Sequence, residues 1–224
     1  MRGIFFLHVK KYVIIVAGGS GTRMKSAIPK QFIELQGKPI LMHTIQKFVD
    51  SIPALTIIVV LAKEYEEEWK ELCKKHQFSI SHTLTAGGAT RYESVKNGLN
   101  LVPDAAVVGI HDAARPLVSI ATILKAFEEA EIMGNASPAI SLTDSIRRVK
   151  GKENTAVDRT QYSIIQTPQC FQSHLIKKAF LKPYQPEFTD DATVLEAFGE
   201  KIHLIEGNRE NIKITTAQDL IIAE

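Results

Sequence analysis

What most restricts this chain is a rhythm: between residues 12 and 133, short apolar runs alternate with segments of helical period. Tyr12 to Ala17 is apolar and β-branched and ends in Gly18-Gly19-Ser20-Gly21, the pattern of a buried strand entering a glycine-rich loop. Ile40, Leu41, Thr44, Ile45 and Phe48 recur at helical spacing. Leu55 to Leu61 reads as a second buried strand, and Tyr65 to His76 as a charged helix with Trp69 and Leu72 on its apolar face. A strand near Ser81 to Ala86, a helix over Tyr92 to Leu101, a strand over Ala105 to Ile110 and a helix over Ile120 to Met133 continue the series. Strands separated by helices of this length need crossover connections, which predicts a Rossmann-like, doubly wound α/β domain with a mostly parallel sheet.

From Ser137 to Ile165 the rhythm breaks. The β-leaning runs Ala139 to Leu142, Ile146 to Val149 and Tyr162 to Ile165 surround the charged turn Lys150 to Asn154, so residues 137–165 read as an inserted β-arm. Such an arm has little core of its own and is expected to pack on a second copy of the chain. Helices over Ser173 to Leu181 and Asp191 to Phe198, strand-like runs Ile202 to Ile205 and Ile212 to Ile214, and a helix from Thr216 follow. The expectation is one domain over residues 9–224. Residues 1–8 read as a dispensable extension, because the first convincing strand begins only at Tyr12; as a secretory segment the apolar run Ile4 to Leu7 is too short, and Lys10 and Lys11 interrupt before the next apolar stretch.

Lys plus Arg exceeds Asp plus Glu by only 27 − 25 = 2 in 224 residues. That balance argues against a general nucleic-acid or membrane-surface binder, both of which need clustered positive charge, and no run reaches the roughly 20 apolar residues of a bilayer span. The two cysteines, Cys73 and Cys170, have no metal-ligand spacing, and a cytoplasmic setting is expected.

The strongest chemical signal is the loop Gly18 to Met24, preceded by Ala17 and followed by Pro29-Lys30-Gln31. In open α/β sheets ligands gather beyond the carboxyl ends of the strands, where small residues let backbone N–H groups approach phosphate oxygens. A dinucleotide fingerprint would need glycine where Met24 stands, and no Gly-Lys-Ser/Thr phosphate loop exists. Two cations, Arg23 and Lys30, follow the glycines instead, which suits a substrate that is itself a triphosphate. The blander reading is a glycine turn with solvated basic residues.

A second constellation is His111 to Pro116, sequence HDAARP, at a strand end. There Asp112 could hold Mg²⁺ together with phosphate oxygens or cap a turn, Arg115 could fix the loop, and His111 reads as a packed histidine. Gly87-Gly88, followed by Arg91 and Ser94, could present backbone groups and a hydroxyl to a base. Asp158-Arg159, Thr167-Pro168-Gln169, Thr189-Asp190-Asp191 and Asn211-Ile212-Lys213 carry donors that a phosphorylated acceptor would need. No Gly-x-Ser-x-Gly elbow and no zinc-binding histidine pair is present.

Read in order, AGGSGTRM, PKQF, GGATRYESV, HDAARP, VDR, QTPQ, TDDA and NIKIT resemble the 2-C-methyl-D-erythritol 4-phosphate cytidylyltransferases of the non-mevalonate isoprenoid pathway, from about Tyr12 to Glu224. The resemblance implies a reaction of CTP with methylerythritol phosphate, a requirement for Mg²⁺, and a homodimer whose arms complete each other's sites. It implies that Arg23, Lys30 and Lys213 stabilise the reacting phosphates and that Asp112 serves the metal and the nucleotide. Ala17, Gly18, Gly19, Gly21, Gly87, Gly88, Arg91 and Ser94 fall at or beside nucleotide contacts. Arg115, Arg159, Thr167 and Thr189 fall on the acceptor side, with Arg159 crossing from a partner subunit. Ala89 departs from the acidic residue that some relatives carry in the base-binding turn. Two other readings stand beside this one: a cytidylyltransferase for another polyol phosphate such as ribitol 5-phosphate, and a non-catalytic nucleotide-binding protein.

Overall fold

A computed structural model describes residues 9–18 and 28–224. Strand β1 (Lys10–Val16) is followed by the short hairpin β2 (Glu34–Leu35) and β3 (Lys38–Pro39), helix α1 (Ile40–Ser51), β4 (Thr56–Leu61), α2 (Glu66–Lys75), β5 (Thr83–Ala86) and α3 (Arg91–Leu99). Then come β6 (Ala106–Asp112), α4 (Ile120–Met133), β7 (Asn135–Ser141), β8 (Arg147–Lys150), β9 (Glu153–Ala156), β10 (Ser163–Ile165) and β11 (Gln169–Gln172). The chain ends with α5 (Ser173–Ala179), α6 (Asp191–Phe198), β12 (Leu204–Glu206) and α7 (Ala217–Ala223). Eight of the described strands form one sheet in the order β10-β7-β11-β6-β1-β4-β5, with β12 beside β7, while β2–β3 and β8–β9 are separate two-stranded hairpins.

The two-residue period of the strands decides how the layers assemble. Val13 and Ile15 of β1, with Ile57, Val59 and Leu61 of β4, face α1, α2 and α4 through Phe48, Trp69 and Phe127. Ile14, Ile58 and Val60 point the other way, toward α3, α5 and α6 through Val95, Ile176 and Leu195. Strands buried on both faces have no room for alternating polarity, which is why they read as continuous apolar runs. Parallel pairing of β1 with β4 and β6, and of β4 with β5, gives the doubly wound half expected from the sequence.

The second half differs from expectation in three places. A strand absent from the sequence reading, β11, lies antiparallel between β6 and β7 in the middle of the sheet. The run at Ala139 to Leu142 is no free arm: β7 starts at Asn135, its first four residues are buried, and β10 and β12 continue the main sheet beside it. Of the described strands in this half, the β8–β9 hairpin alone stands apart from the main sheet, with all eight of its strand residues exposed. Finally, Ile212 to Ile214 is not a strand. It is an extended segment held by the Ile214 N–H on the Ala114 carbonyl, with Asn211 and Ile214 buried. The β-branched residues there serve packing rather than a ladder.

Candidate active site

The carboxyl ends of β1, β5 and β6 converge, and each leads into one wall of the site. After β1, Ala17 donates its N–H to the Val60 carbonyl and accepts from the buried Gln31 side-chain amide, both at 2.8 Å. Gln31 sits in a 3-10 turn over Lys30–Phe32, so the same contact that anchors the turn brings Lys30 to the strand end. Gln31 is a site residue that the sequence reading quoted within PKQF without giving it a role. Gly19, Gly21 and Arg23, expected in this loop, lie outside the described residues, as does the segment 1–8.

After β5, the Ser94 hydroxyl accepts from the Gly88 N–H at 3.0 Å and donates to the Thr90 carbonyl at 2.9 Å. Thr90 caps α3 in a reciprocal capping box with Glu93. A Cβ on Gly18 or Gly87 would come within 3.3 or 3.2 Å of Ser94 Oγ, so the two glycine segments close on one hydroxyl. A Cβ on Gly88 would lie 2.3 Å from Glu93 Cβ, an overlap that only glycine avoids. Ser94 therefore shapes the turn whose backbone faces the cavity.

Asp112 ends β6 and is 8% exposed. Its carboxylate is ringed by three cations: Lys213 Nζ at 3.0 Å, Arg115 Nε at 3.2 Å and Arg91 Nε at 3.7 Å. Burial raises its pKa, but Arg91, Lys213 and Arg115 together outweigh burial and hold the group well below the usual carboxylate range. Behind it, the Asp112 N–H donates to Thr167 Oγ1, and that hydroxyl pairs with His111 Nδ1 at 3.0 Å. Since His111 Nε2 faces the Arg115 carbonyl, it must carry the ring proton, which leaves Nδ1 as acceptor for the Thr167 hydroxyl. Burial pushes His111 down to about 4, so the ring is neutral at working pH.

Thr167 and Arg115 thus stand behind Asp112 rather than among the residues lining the cavity. Arg115 also donates to the Asn211 carbonyl, which ties the HDAARP loop to the segment that carries Lys213. A buried ion pair that the sequence did not signal completes the rear wall: Asp191, 1% exposed, takes both terminal nitrogens of Arg91 at 2.9 and 2.6 Å. Burial lifts the Asp191 carboxyl and Arg91 works against that lift. Because a guanidinium is charged at every accessible pH and grips both oxygens, the contact is an ion pair.

The cavity enclosed by these walls measures about 370 Å³, and its lining brings together Gly18, Lys30, Gly88, Arg91, Asp112 and Lys213. Arg159 and Thr189 are exposed and do not line it; Arg159 donates to the Thr143 carbonyl at the base of the hairpin. Chemically, the arrangement offers a backbone turn for a planar group, cations for a polyanion and one ionised carboxylate, while the lining hydroxyls of Thr90 and Ser94 are engaged in the turn and the helix cap.

A family model described as "IspD: 2-C-methyl-D-erythritol 4-phosphate cytidylyltransferase" matches residues 11–224. The 2-C-methyl-D-erythritol 4-phosphate cytidylyltransferase of Bacteroides thetaiotaomicron is 47% identical over 214 residues, covering 96% of this chain and 98% of its own. That of Porphyromonas gingivalis is 47% identical over 216 residues, covering 96% of each. Among solved structures, the Thermus thermophilus enzyme of the same description aligns with a TM-score of 0.79 at 29% identity, covering 96% of this chain and 97% of its own. The 4-diphosphocytidyl-2C-methyl-D-erythritol synthase of Anaerococcus prevotii aligns with a TM-score of 0.81 at 28% identity, covering 96% and 94%. The chain belongs to the 2-C-methyl-D-erythritol 4-phosphate cytidylyltransferase family.

Proposed function

We propose that this chain transfers the cytidylyl group of CTP to 2-C-methyl-D-erythritol 4-phosphate, giving 4-diphosphocytidyl-2-C-methyl-D-erythritol and diphosphate for isoprenoid precursor synthesis. The observation that carries the reading is the cavity at the strand ends, where Lys30 and Lys213 join Asp112 and the Gly88 turn within a family match spanning residues 11–224. An oxygen of the acceptor's phosphate monoester attacks the α-phosphorus of CTP; the bond to the β-phosphate breaks, and diphosphate leaves with the electron pair. The acceptor brings its own nucleophile, so the protein's task is positioning and charge stabilisation. In this reading Lys30, Lys213 and Arg23 stabilise the charge that builds on the five-coordinate phosphorus and the departing diphosphate. The turn at Gly87 and Gly88, held by Ser94, receives the base.

Mg²⁺ is part of the proposal. Among the described residues no cluster of three or more His, Cys, Asp or Glu side chains could cage a metal. Asp112 is a hard oxygen donor, ionised at working pH, and it suits the arrangement in which one carboxylate and substrate phosphates hold the ion. When bound there, Mg²⁺ supplies Lewis acidity to the triphosphate oxygens.

We further propose a homodimer formed through the hairpin, in which Thr189 and the partner subunit's Arg159 bind the acceptor phosphate. In support, the hairpin buries nothing within one chain: Val149 is 68% exposed, and Tyr162 and Ile164 at its base are 48% exposed each. A cytoplasmic enzyme is the accompanying reading, consistent with free Cys73 and Cys170. None of the helices described is long and apolar enough to cross a membrane.

Diphosphate release measured with each nucleoside triphosphate and each candidate acceptor tests the assignment. Release is expected with CTP and methylerythritol phosphate, dependent on Mg²⁺. Release with ribitol 5-phosphate but not with methylerythritol phosphate would overturn it, as would nucleotide binding without turnover. Sedimentation of the intact chain at twice its monomer mass is expected from the dimer reading, and a monomer at all concentrations refutes it.

A further inference from the structure

Asp191 lies outside the cavity lining, yet it is nearly fully buried and commits both oxygens to one side chain of the site, Arg91. Both residues occupy the first helical position of their helices: Arg91 follows the Thr90 cap of α3, and Asp191 follows the Asp190 cap of α6. The pair therefore bolts one helix N-terminus to another across 100 residues of sequence.

The two termini carry different parts of the site. The one at α3 opens directly from the Gly87-Gly88 turn, and the one at α6 opens directly from Thr189. A third residue holds the Asp191 side of the bolt. Gln169, 1% exposed at the start of β11, accepts from the Asp191 and Ala192 N–H groups through Oε1 and donates through Nε2 to Asp190 at 2.7 Å. The α6 terminus is thereby pinned to the central sheet, with the Asp191 carboxylate held on Arg91. On its other edge Arg91 approaches Asp112 at 3.7 Å, so the position of its guanidinium is shared between two carboxylates.

We infer that Asp191 is a positioning residue: it holds Arg91, and through Arg91 both the nucleotide turn and the setting of Asp112, in register with the acceptor loop at Thr189. Without its charge, the guanidinium would be drawn toward Asp112, which it already approaches at 3.7 Å, and the Gly88 turn that begins α3 would move with it. The inference rests on the cytidylyltransferase reading for the identity of the two substrates, but not for the coupling itself.

A double-mutant cycle tests it, using Asp191→Asn, Arg91→Gln and the double variant of the intact chain. CTP dissociation constants by calorimetry, together with kcat and KM for both substrates, are the readouts. Asp191→Asn alone is expected to weaken CTP binding and lower kcat/KM by about tenfold, because groups that act as a unit are not additive. In the Arg91→Gln background the same substitution is expected to cost less than about twofold. Equal losses in both backgrounds, or kinetics and CTP binding within about twofold of the parent in Asp191→Asn, would overturn the role even if the melting temperature falls. Should Asp191→Asn alone fail to fold, the double variant, which buries no unpaired charge, is compared with Arg91→Gln, and a further loss beyond about twofold likewise overturns it. Absence of turnover in the parent chain would instead refute the substrate assignment, and CTP calorimetry would still decide the coupling.

Discussion

Asp112→Asn isolates the charge at the centre of the site while keeping its shape. At an effective dielectric of about 20, three cations at 3.0, 3.2 and 3.7 Å each attract the carboxylate by roughly 5 kcal/mol. Burying the ions takes back several kcal/mol apiece, and removing one partner from such a network costs about 3–5 kcal/mol net. The side chains of Arg91 and Lys213 keep 32% and 35% exposure and can recover hydration, which puts this case near the lower end, about 3 kcal/mol. For a chain of this size that is a fall in Tm of roughly 6–12 °C. Because the native pKa lies below the unfolded one, the stabilisation is fully present above about pH 4 and is lost as pH falls through the native value. Scanning calorimetry from about pH 8 down to about pH 3 should therefore show a constant gap between parent and variant that narrows only below about pH 4. Turnover should fall by on the order of a hundredfold or more. A variant that melts within about a degree of the parent near pH 7, or whose gap closes between about pH 7 and 5, would refute the account of Asp112 as a cation-held anion.

Lys30→Ala should lower kcat by on the order of a hundredfold with Tm nearly unchanged, since it removes one charge-stabilising donor from a partly exposed position. Near-normal turnover counts against that role. Gly88→Ala should raise KM for CTP by about tenfold, because its Cβ cannot coexist with Glu93 Cβ without moving the turn; an unchanged KM would mean that the turn does not face the nucleotide. His111→Gln should flatten the acid limb of the stability curve. In the parent, the unfolded chain takes up a proton near about pH 6.5 while native His111 resists until about 4, so stability drops across that window by on the order of 3 kcal/mol. Denaturant titrations of the two proteins at about pH 7 and about pH 4.5 check this, and parallel losses in both would refute it.

The half of the fold that the sequence announced is the half built from locally complete signals. Val13 to Val16, Ile57 to Leu61 and Ala106 to Ile110 are apolar because each strand is covered on both faces, and a run of that kind names itself. Gln169 to Gln172 could not be read the same way. Its outer residues are polar, and its place between β6 and β7 is set by pairing with strands that are distant in sequence. The error at Ile212 to Ile214 has the opposite cause: a β-branched residue buried for packing, Ile214, together with the half-buried Ile212, imitates a strand. At the site, glycines and the Asp112 strand end were legible because close backbone approach and strand-end chemistry restrict residue type. The partnerships of Asp191 with Arg91 and of Thr167 with His111 were not. Each joins residues 100 or 56 positions apart, and no local pattern encodes that.

The near-neutral total charge of the chain also changes meaning at the site. Arg91, Arg115 and Lys213 are set against Asp112 and Asp191, so these five groups carry a net charge of only +1. If binding a triphosphate depended on net positive charge, Asp112→Asn and Asp191→Asn would each make the site more positive by one charge and should each tighten CTP binding. If it depends on where the cations are held, both should weaken it, because each carboxylate fixes a cation that would otherwise relax toward solvent or toward the other carboxylate. The two views differ in sign rather than size, so calorimetry at low salt, where a net-charge effect is largest, separates them. The geometry favours placement: a guanidinium gripped at two oxygens, and a lysine 3.0 Å from its counterion, are cations arranged before the substrate arrives. Such preorganisation is how oriented charge lowers a barrier without reorganising during the reaction.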